Sequence, residues 1–149
     1  MHCWEGLKLA ASLGTIVLCA EDWYETLDFY HELLGLPLVS LDEVGCRARL
    51  SLGGEVLFEI LSGGWGANGV KSPRENPVTL CLRVPEVDKL SLELESRGAM
   101  FFAEPADGMA ALMDPEGNRV YLYVGPDPPR TLDGWELQRE AGASAPDST

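Results

Sequence analysis

The order of predicted elements repeats once along this chain, and this repeat constrains the fold more than any other feature. In the first half, strands are predicted at 14–20, 36–41, 47–52 and 56–61, with a helix over 23–34 after the first strand. The second half repeats this order, with strands at 77–84, 99–103, 109–113 and 118–124 and a helix over 86–97. The repeat predicts an α+β fold of two βαβββ modules, which form a half-open, cup-shaped mixed sheet with the helices outside.

Local signals support the ends of several elements. Asp22 is a predicted N-cap of the first helix, with Glu25 three residues later as a partial capping box. Gly35 and Gly98 follow the two helices in the usual C-terminal position. The Gly53-Gly54 pair predicts a hairpin turn between the third and fourth strands.

These elements define one predicted domain and a tail. The predicted domain spans 1–124, with repeat one over about 13–61 and repeat two over about 77–124. The linker 62–76 contains four Gly, one Pro and one Trp. The segment 125–149 is rich in Pro, Asp, Ser and Ala, and is predicted to be a C-terminal tail outside the domain.

The charge of the chain excludes several classes of partner. Asp and Glu number 24 against 11 Lys and Arg, which gives a formal net charge of −13. Nucleic acids and anionic membranes require clustered basic residues, so neither is an expected partner. The apolar segment 9–20 after Lys8 resembles a short signal peptide, but it runs directly into the first predicted strand. We therefore predict a cytoplasmic protein.

The common nucleophilic and phosphate-binding patterns do not occur in this sequence. None of the four cysteines forms a CxxC pair, and the two histidines, His2 and His31, have no strand or elbow context. The glycine-rich segment 63–66 is not followed by a Lys-Ser pair. A zinc knot, a catalytic triad and a phosphate loop are therefore not expected.

Two motifs resemble those of a known superfamily. Residues 22–36, DWYETLDFYHELLGL, resemble the first-helix signature of the vicinal oxygen chelate superfamily, and 114–118, DPEGN, resemble its turn before the last strand. The superfamily includes glyoxalase I, bleomycin-resistance proteins, fosfomycin-resistance enzymes and extradiol dioxygenases. The resemblance covers about 13–124 and implies a small-molecule ligand and a homodimer whose clefts both chains complete.

The resemblance also identifies four positions where metal-using members place ligands. In this chain they fall on Thr15, Glu59, Thr79 and Tyr121, so only Glu59 is a normal metal ligand. Because a catalytic divalent metal needs about three protein ligands, we predict no metal and no other cofactor. The register of the fourth strand leaves open whether Glu59 or Phe58 faces the cup.

Strand alternation around these positions predicts a ligand-binding lining. Val17, Cys19, Cys81 and Tyr123 share the predicted inner side, with Arg83 as its only cation. Trp65, on the linker, either stacks on an aromatic ligand or anchors the loop. The predicted ligand-binding residues are Thr15, Phe58, Glu59, Trp65, Thr79, Arg83, Phe102, Met113 and Tyr121.

Three hypotheses about function follow. The first is a metal-free protein similar to the bleomycin-resistance branch, which sequesters an aromatic or cationic antibiotic and confers resistance. The second is a lyase or isomerase that uses Glu59 as metal ligand or, with Tyr121, as general base. The third is a structural or regulatory dimer with a closed core and no ligand.

Overall fold

The computed structural model describes residues 10–126. Most of the predicted tail and the residues before Ala10 therefore lie outside the described residues. The described part contains eight strands and two helices, in the order β1 Thr15–Ala20, α1 Trp23–Asp28, β2 Leu38–Asp42, β3 Arg47–Ser51, β4 Leu57–Ser62, β5 Leu80–Arg83, α2 Asp88–Ser96, β6 Met100–Ala106, β7 Met109–Met113 and β8 Arg119–Tyr123.

The strands form two separate four-stranded mixed sheets, one from each module. The first sheet has the order β1-β4-β3-β2, with β1 parallel to β4. The second repeats it as β5-β8-β7-β6, with β5 parallel to β8. All other neighbouring strands are antiparallel. The predicted α+β fold of two βαβββ modules is confirmed.

The first helix begins as predicted but widens in its second half. Asp22 caps it, since the carboxylate accepts a hydrogen bond from the N–H of Glu25 at 3.1 Å. After Asp28 the chain continues as a π-helical turn over Phe29–Leu33, where Leu34 N–H donates to Phe29 C=O at 2.9 Å. The wider turn buries the consecutive Phe29 and Tyr30, whose rings meet edge to face with centroids 4.9 Å apart.

Three strand boundaries differ from the sequence prediction by two or more residues, and each of them lies near a proline. Strand β5 begins at Leu80 rather than 77, because Pro77 has no N–H to donate to a ladder and Asn76 Nδ2 bonds Val78 C=O locally. Strand β2 likewise begins after Pro37. Strand β6 continues through Pro105, which an edge strand with register irregularities tolerates.

Each sheet has one face covered by a helix, and these two faces form the core. In the first sheet Ala48, Leu50, Phe58 and Ile60 are buried against α1, whose Trp23 Nε1 donates to Ile60 C=O at 2.9 Å. The second sheet contributes Ala110, Leu112, Val120 and Leu122 to the same hydrophobic cluster, together with Val87 and Leu94 at α2. Because side chains alternate along a strand, the remaining residues lie on the opposite faces.

These opposite faces are called the open faces here. The open face of the first sheet is formed by Thr15, Val17, Cys19, Arg47, Arg49, Leu57, Glu59 and Leu61. The open face of the second sheet is formed by Cys81, Arg83, Met109, Ala111, Met113, Arg119, Tyr121 and Tyr123.

The two superfamily-like motifs join the modules to each other. Tyr30, from the first-helix motif, donates through its hydroxyl to Asp114 Oδ2 of the DPEGN turn at 2.7 Å. Glu116 of the same turn accepts from the N–H groups of Glu21 and Asp22, at 2.6 and 2.9 Å, just before α1. Burial raises the pKa of the Asp114 carboxyl, although its hydrogen bonds oppose that shift. Both motifs therefore have a structural role.

Within the described range, neither helix has the length and apolar character needed to cross a bilayer.

Candidate ligand-binding site

Glu59 lies on the open face of the first sheet between two arginines. Its Oε2 is 3.1 Å from Arg49 Nε and 3.4 Å from Arg47 Nε. The register explains the contact, because Arg49 on β3 lies directly opposite Glu59 on β4 and Arg47 is two residues away on the same face. The carboxylate is thus already neutralised by guanidinium groups.

The structure answers the register question that the sequence left open. Phe58 is buried on the helix-covered face, with its ring centroid 4.9 Å from that of Tyr30. Glu59, the next residue, therefore lies on the open face. Phe58 does line a cavity of about 240 Å³ between β1 and the segment 75–80, and Thr79 and Arg119 line the same cavity. Phe58 and Thr79 thus come together at the boundary between the modules, away from Glu59's carboxylate.

The open face of the first sheet is exposed along β1. Thr15, Val17 and Cys19 all lie on this edge strand, and Val17 is 51% exposed. Val17 pairs in register with Glu59, so the apolar side chain and the Glu59 ion pairs are neighbours. An exposed apolar residue beside a charged cluster is unlike a closed core.

The open face of the second sheet is not covered by α2, but its side chains are mostly buried, and several of them are aromatic. Tyr121 is 1% exposed, and its ring contacts Phe102 edge to face with centroids 5.9 Å apart. Phe102 also contacts Arg119, whose guanidinium lies over the ring at 5.3 Å from its centroid. Among residues 10–126, the Tyr121 hydroxyl has no hydrogen-bond partner. A buried hydroxyl without a partner is costly, and this one is enclosed by the side chains around it.

Arg119 is a second group that sequence reasoning missed. It is buried, its Nε donates to Lys71 C=O at 2.6 Å, and its N–H donates to Asn76 Oδ1 at 2.6 Å. Desolvation by this burial lowers the pKa of Arg119. The linker therefore holds Arg119 in place at the start of β8.

The remaining predicted residues lie at the margins of this site. Trp65 is 56% exposed, and the Lys71 ammonium lies 5.1 Å from its ring centroid while donating to its C=O at 2.7 Å. Arg83 donates to Pro126 C=O at 3.0 Å and lies 6.0 Å from the Tyr123 ring centroid. Met113 is half-buried and lies opposite Arg119 in the β7–β8 register.

Of the two roles considered for Trp65, its contacts with Lys71 favour the one in which it anchors the linker.

The expectation that Arg83 is the only cation of the lining is wrong. Arg47 and Arg49 also lie on an open face, and Arg119 lies on the other. The signal was present on β3, where Arg47 and Arg49 alternate with the buried Ala48 and Leu50. Alternation places both arginines beside Glu59 once β3 and β4 are paired.

Two buried tyrosines provide a matched test of the unpartnered hydroxyl. We expect Tyr30→Phe to lower the free energy of unfolding by about 1.5–3 kcal/mol, because it removes a hydrogen bond to a carboxylate. We expect Tyr121→Phe to leave it unchanged or raise it by up to about 1 kcal/mol, because no bond is lost. Urea denaturation of both variants measures the difference. Equal losses would show that the Tyr121 hydroxyl has a partner in the folded protein.

Comparison with known proteins agrees with this architecture. The model of the glyoxalase-like domain family matches residues 15–123, which is most of the chain. This chain belongs to the glyoxalase-like domain family. It is accordingly a member of the vicinal oxygen chelate superfamily. Among curated proteins, none matches this sequence.

Solved structures share the glyoxalase-like fold at low sequence identity. The antibiotic binding protein TnmS3 from Streptomyces sp. CB03234 is 20% identical, with a TM-score of 0.61 over 80% of this chain and 100% of that one. Lactoylglutathione lyase from Agrobacterium tumefaciens is 16% identical, with a TM-score of 0.58 over 79% and 96%. A glyoxalase/bleomycin resistance protein/dioxygenase from Nocardioides is 18% identical, with a TM-score of 0.62 over 83% and 91%. At these identities the likeness establishes the fold.

The donor set of this glyoxalase-like chain does not fit a divalent metal. The superfamily resemblance places Thr15, Thr79 and Tyr121 at three of the four ligand positions, and neutral hydroxyls are poor ligands for such an ion. The fourth, Glu59, is held by two guanidinium groups. Over residues 10–126, no group of three His, Cys, Asp or Glu side chains is arranged to hold an ion.

Proposed function

We propose that this glyoxalase-like protein binds a small aromatic molecule on the open face of its first sheet and releases it unchanged. The observation that carries the proposal is the state of Glu59, whose Oε2 is shared by Arg47 and Arg49. A carboxylate oxygen held by two guanidinium groups cannot also bind a metal or accept a substrate proton without giving up these contacts. The residue that carries the enzymatic alternative is therefore committed to another role.

The chemistry of the open face of the first sheet supports binding of an aromatic molecule. Val17 offers exposed apolar surface next to the Glu59 cluster, and Thr15 and Cys19 are exposed on the same strand. The exposure along β1 also argues against the third hypothesis, a closed core without a ligand. The cationic ligand considered from the sequence is not proposed, because Glu59 is already neutralised.

The comparisons are compatible with this proposal but do not select it. One similar structure is described as an antibiotic binding protein and another as a lyase, so the fold serves both roles. Sequestration of an antibiotic is one form that the proposed binding takes. A homodimer and a cytoplasmic location remain predictions. The alternative, a lyase or isomerase with Glu59 as general base, requires the arginines to leave the carboxylate.

Native mass spectrometry with metal analysis of the same sample tests the absence of metal chemistry. We expect the mass of the purified protein to be the same before and after treatment with a chelator, with no stoichiometric divalent metal, because only one ligand position holds a carboxylate. A co-purifying organic mass would give the first indication of the ligand. A stoichiometric metal that the chelator removes would instead favour the enzyme.

Binding itself is measured with a neutral aromatic probe. We expect 2-naphthamide to shift amide NMR signals of Val17, Cys19 and their neighbours on the open face, and to be recovered unchanged. Leu92→Ala serves as a control, because it removes an exposed apolar side chain on α2, and its titration should match that of the unaltered protein. Shifts confined to the helix-covered residues, or conversion of a bound molecule, would contradict the proposal.

A further inference from the structure

Two guanidinium groups on the open face of the first sheet share a single carboxylate oxygen. Arg49 and Arg47 both approach Glu59 Oε2, and each does so through Nε, at 3.1 and 3.4 Å. No other hydrogen bond or ion pair to the described residues involves either guanidinium. The terminal amino groups of both arginines are therefore available to bind a further acceptor.

The arginines lie above the carboxylate, on the solvent side of the cluster. The Arg47 side chain is 53% exposed and the Arg49 side chain is 45% exposed, whereas the Glu59 side chain is 12% exposed. The nearest other carboxylate by register is Asp42, opposite Arg47 on β2, and its Oδ1 accepts from the N–H of Gly45 at 3.0 Å. Between residues 10 and 126, Asp42 makes no ion pair with Arg47. The cluster therefore has two positive charges for one paired negative charge.

We propose that the ligand of this open face carries a carboxylate, bound by the terminal amino groups of Arg47 and Arg49. The inference rests on the proposed binding function and specifies the charge of the molecule that is bound. A guanidinium group presents two parallel N–H donors, which match the two oxygens of a carboxylate. Glu59 holds both guanidinium groups side by side through Nε, and Val17, next to Glu59, offers apolar contact for the rest of the molecule.

This preference is opposite to the one that the whole chain would give. With a formal net charge of −13, the long-range field attracts cations and repels anions. At an ionic strength of about 150 mM the field is screened beyond about 8 Å, so the local arginines dominate. Tighter binding of an anion would therefore report the arginine pair and not the overall charge.

Three probes with the same ring system test the proposal by NMR titration of the full chain at this ionic strength. They are 2-naphthoate, 2-naphthamide and 2-naphthylmethylammonium, which differ only in charge and polar group. We expect 2-naphthoate to bind at least about threefold more tightly than 2-naphthamide, with shifts centred on Arg47, Arg49 and Val17. The ammonium probe should bind most weakly at this face.

Two substitutions in the cluster should act in opposite directions. Arg49→Gln should remove the preference for 2-naphthoate over 2-naphthamide. Glu59→Gln should strengthen 2-naphthoate binding by about threefold, because it removes the negative charge beside the bound carboxylate while its amide oxygen can still accept from the two Nε groups. Arg97→Gln changes the exposed residue that directly follows α2. It also removes one positive charge, but away from the cluster, so the preference for 2-naphthoate should be preserved. Because one substitution weakens binding and the other strengthens it, a folding defect cannot produce both results.

The outcomes separate this inference from the proposed function. If 2-naphthamide binds and 2-naphthoate does not bind more tightly, the carboxylate inference is wrong and the binding function stands. If Glu59→Gln weakens 2-naphthoate binding, the inference is likewise wrong. If none of the three probes shifts signals on the open face, the proposed function fails and the inference fails with it.

Discussion

Replacing Asp114 with alanine should lower the free energy of unfolding by more than about 3 kcal/mol. Its Oδ1 accepts from the N–H groups of Glu116 and Asn118 at 2.8 and 2.9 Å. Its Oδ2 accepts from the Tyr30 hydroxyl at 2.7 Å and from Asn118 Nδ2 at 2.9 Å. Alanine leaves these buried donors without an acceptor, and each costs about 1–3 kcal/mol.

The loss should be smaller than the sum of four such costs, because burial of the Asp114 charge is itself unfavourable and raises its pKa. Urea denaturation followed by circular dichroism measures the change. Asp28→Ala, at the exposed end of α1, removes the same charge without these contacts and should change stability by no more than about 0.5 kcal/mol. An unchanged denaturation midpoint for Asp114→Ala would refute the structural role assigned to the DPEGN turn.

Replacing Gly117 with alanine should also lower the free energy of unfolding by about 3 kcal/mol or more. Gly117 has φ +86°, a conformation that costs other residues roughly 1–2 kcal/mol. A Cβ added there would lie well inside van der Waals contact of the Gly69 carbonyl oxygen. The linker would then have to move and break the bonds Ala67 N–H to Glu116 C=O and Lys71 N–H to Gly117 C=O, at 2.9 and 2.8 Å.

Gly98 provides a matched control for the backbone conformation alone. It has φ +97° after α2, and a Cβ added there meets nothing within 4 Å. Gly98→Ala should therefore cost only about 1 kcal/mol. If both alanine variants lose the same stability in thermal or urea denaturation, the close approach between Gly117 and the linker does not contribute.

The local elements of this protein were predictable because their signals lie within a few residues. Asp22 caps α1 through the N–H of Glu25, three residues away, and Gly35 has the expected positive φ of +80°. Gly53 and Gly54 also have positive φ in the predicted hairpin turn. Repeated element order then indicated two modules, because βαβββ units of this kind bury one face of each sheet under one helix.

The candidate site was predicted only in part. Glu59 was identified, but its pairing with Arg47 and Arg49 was missed, because it depends on the register of β3 against β4. Whether Phe58 or Glu59 lies on the open face depended on which face of the sheet α1 covers. Strand alternation does not determine this, because it is decided by how the helix packs on the sheet. The unpartnered Tyr121 hydroxyl had no sequence signal, since satisfaction of a buried hydroxyl depends on every group around it.

The sequence by itself determined the two modules, the N-cap of the first helix, the glycines that end both helices and the hairpin turn at Gly53-Gly54. These follow from residue type and short-range spacing. Only the tertiary structure decided which face of each sheet is open and how the modules are joined. Tyr30 meets Asp114 across 84 residues and Glu116 meets Glu21 across 95 residues. Contacts at such separations form when the packed core brings the segments together, so local sequence patterns do not specify them.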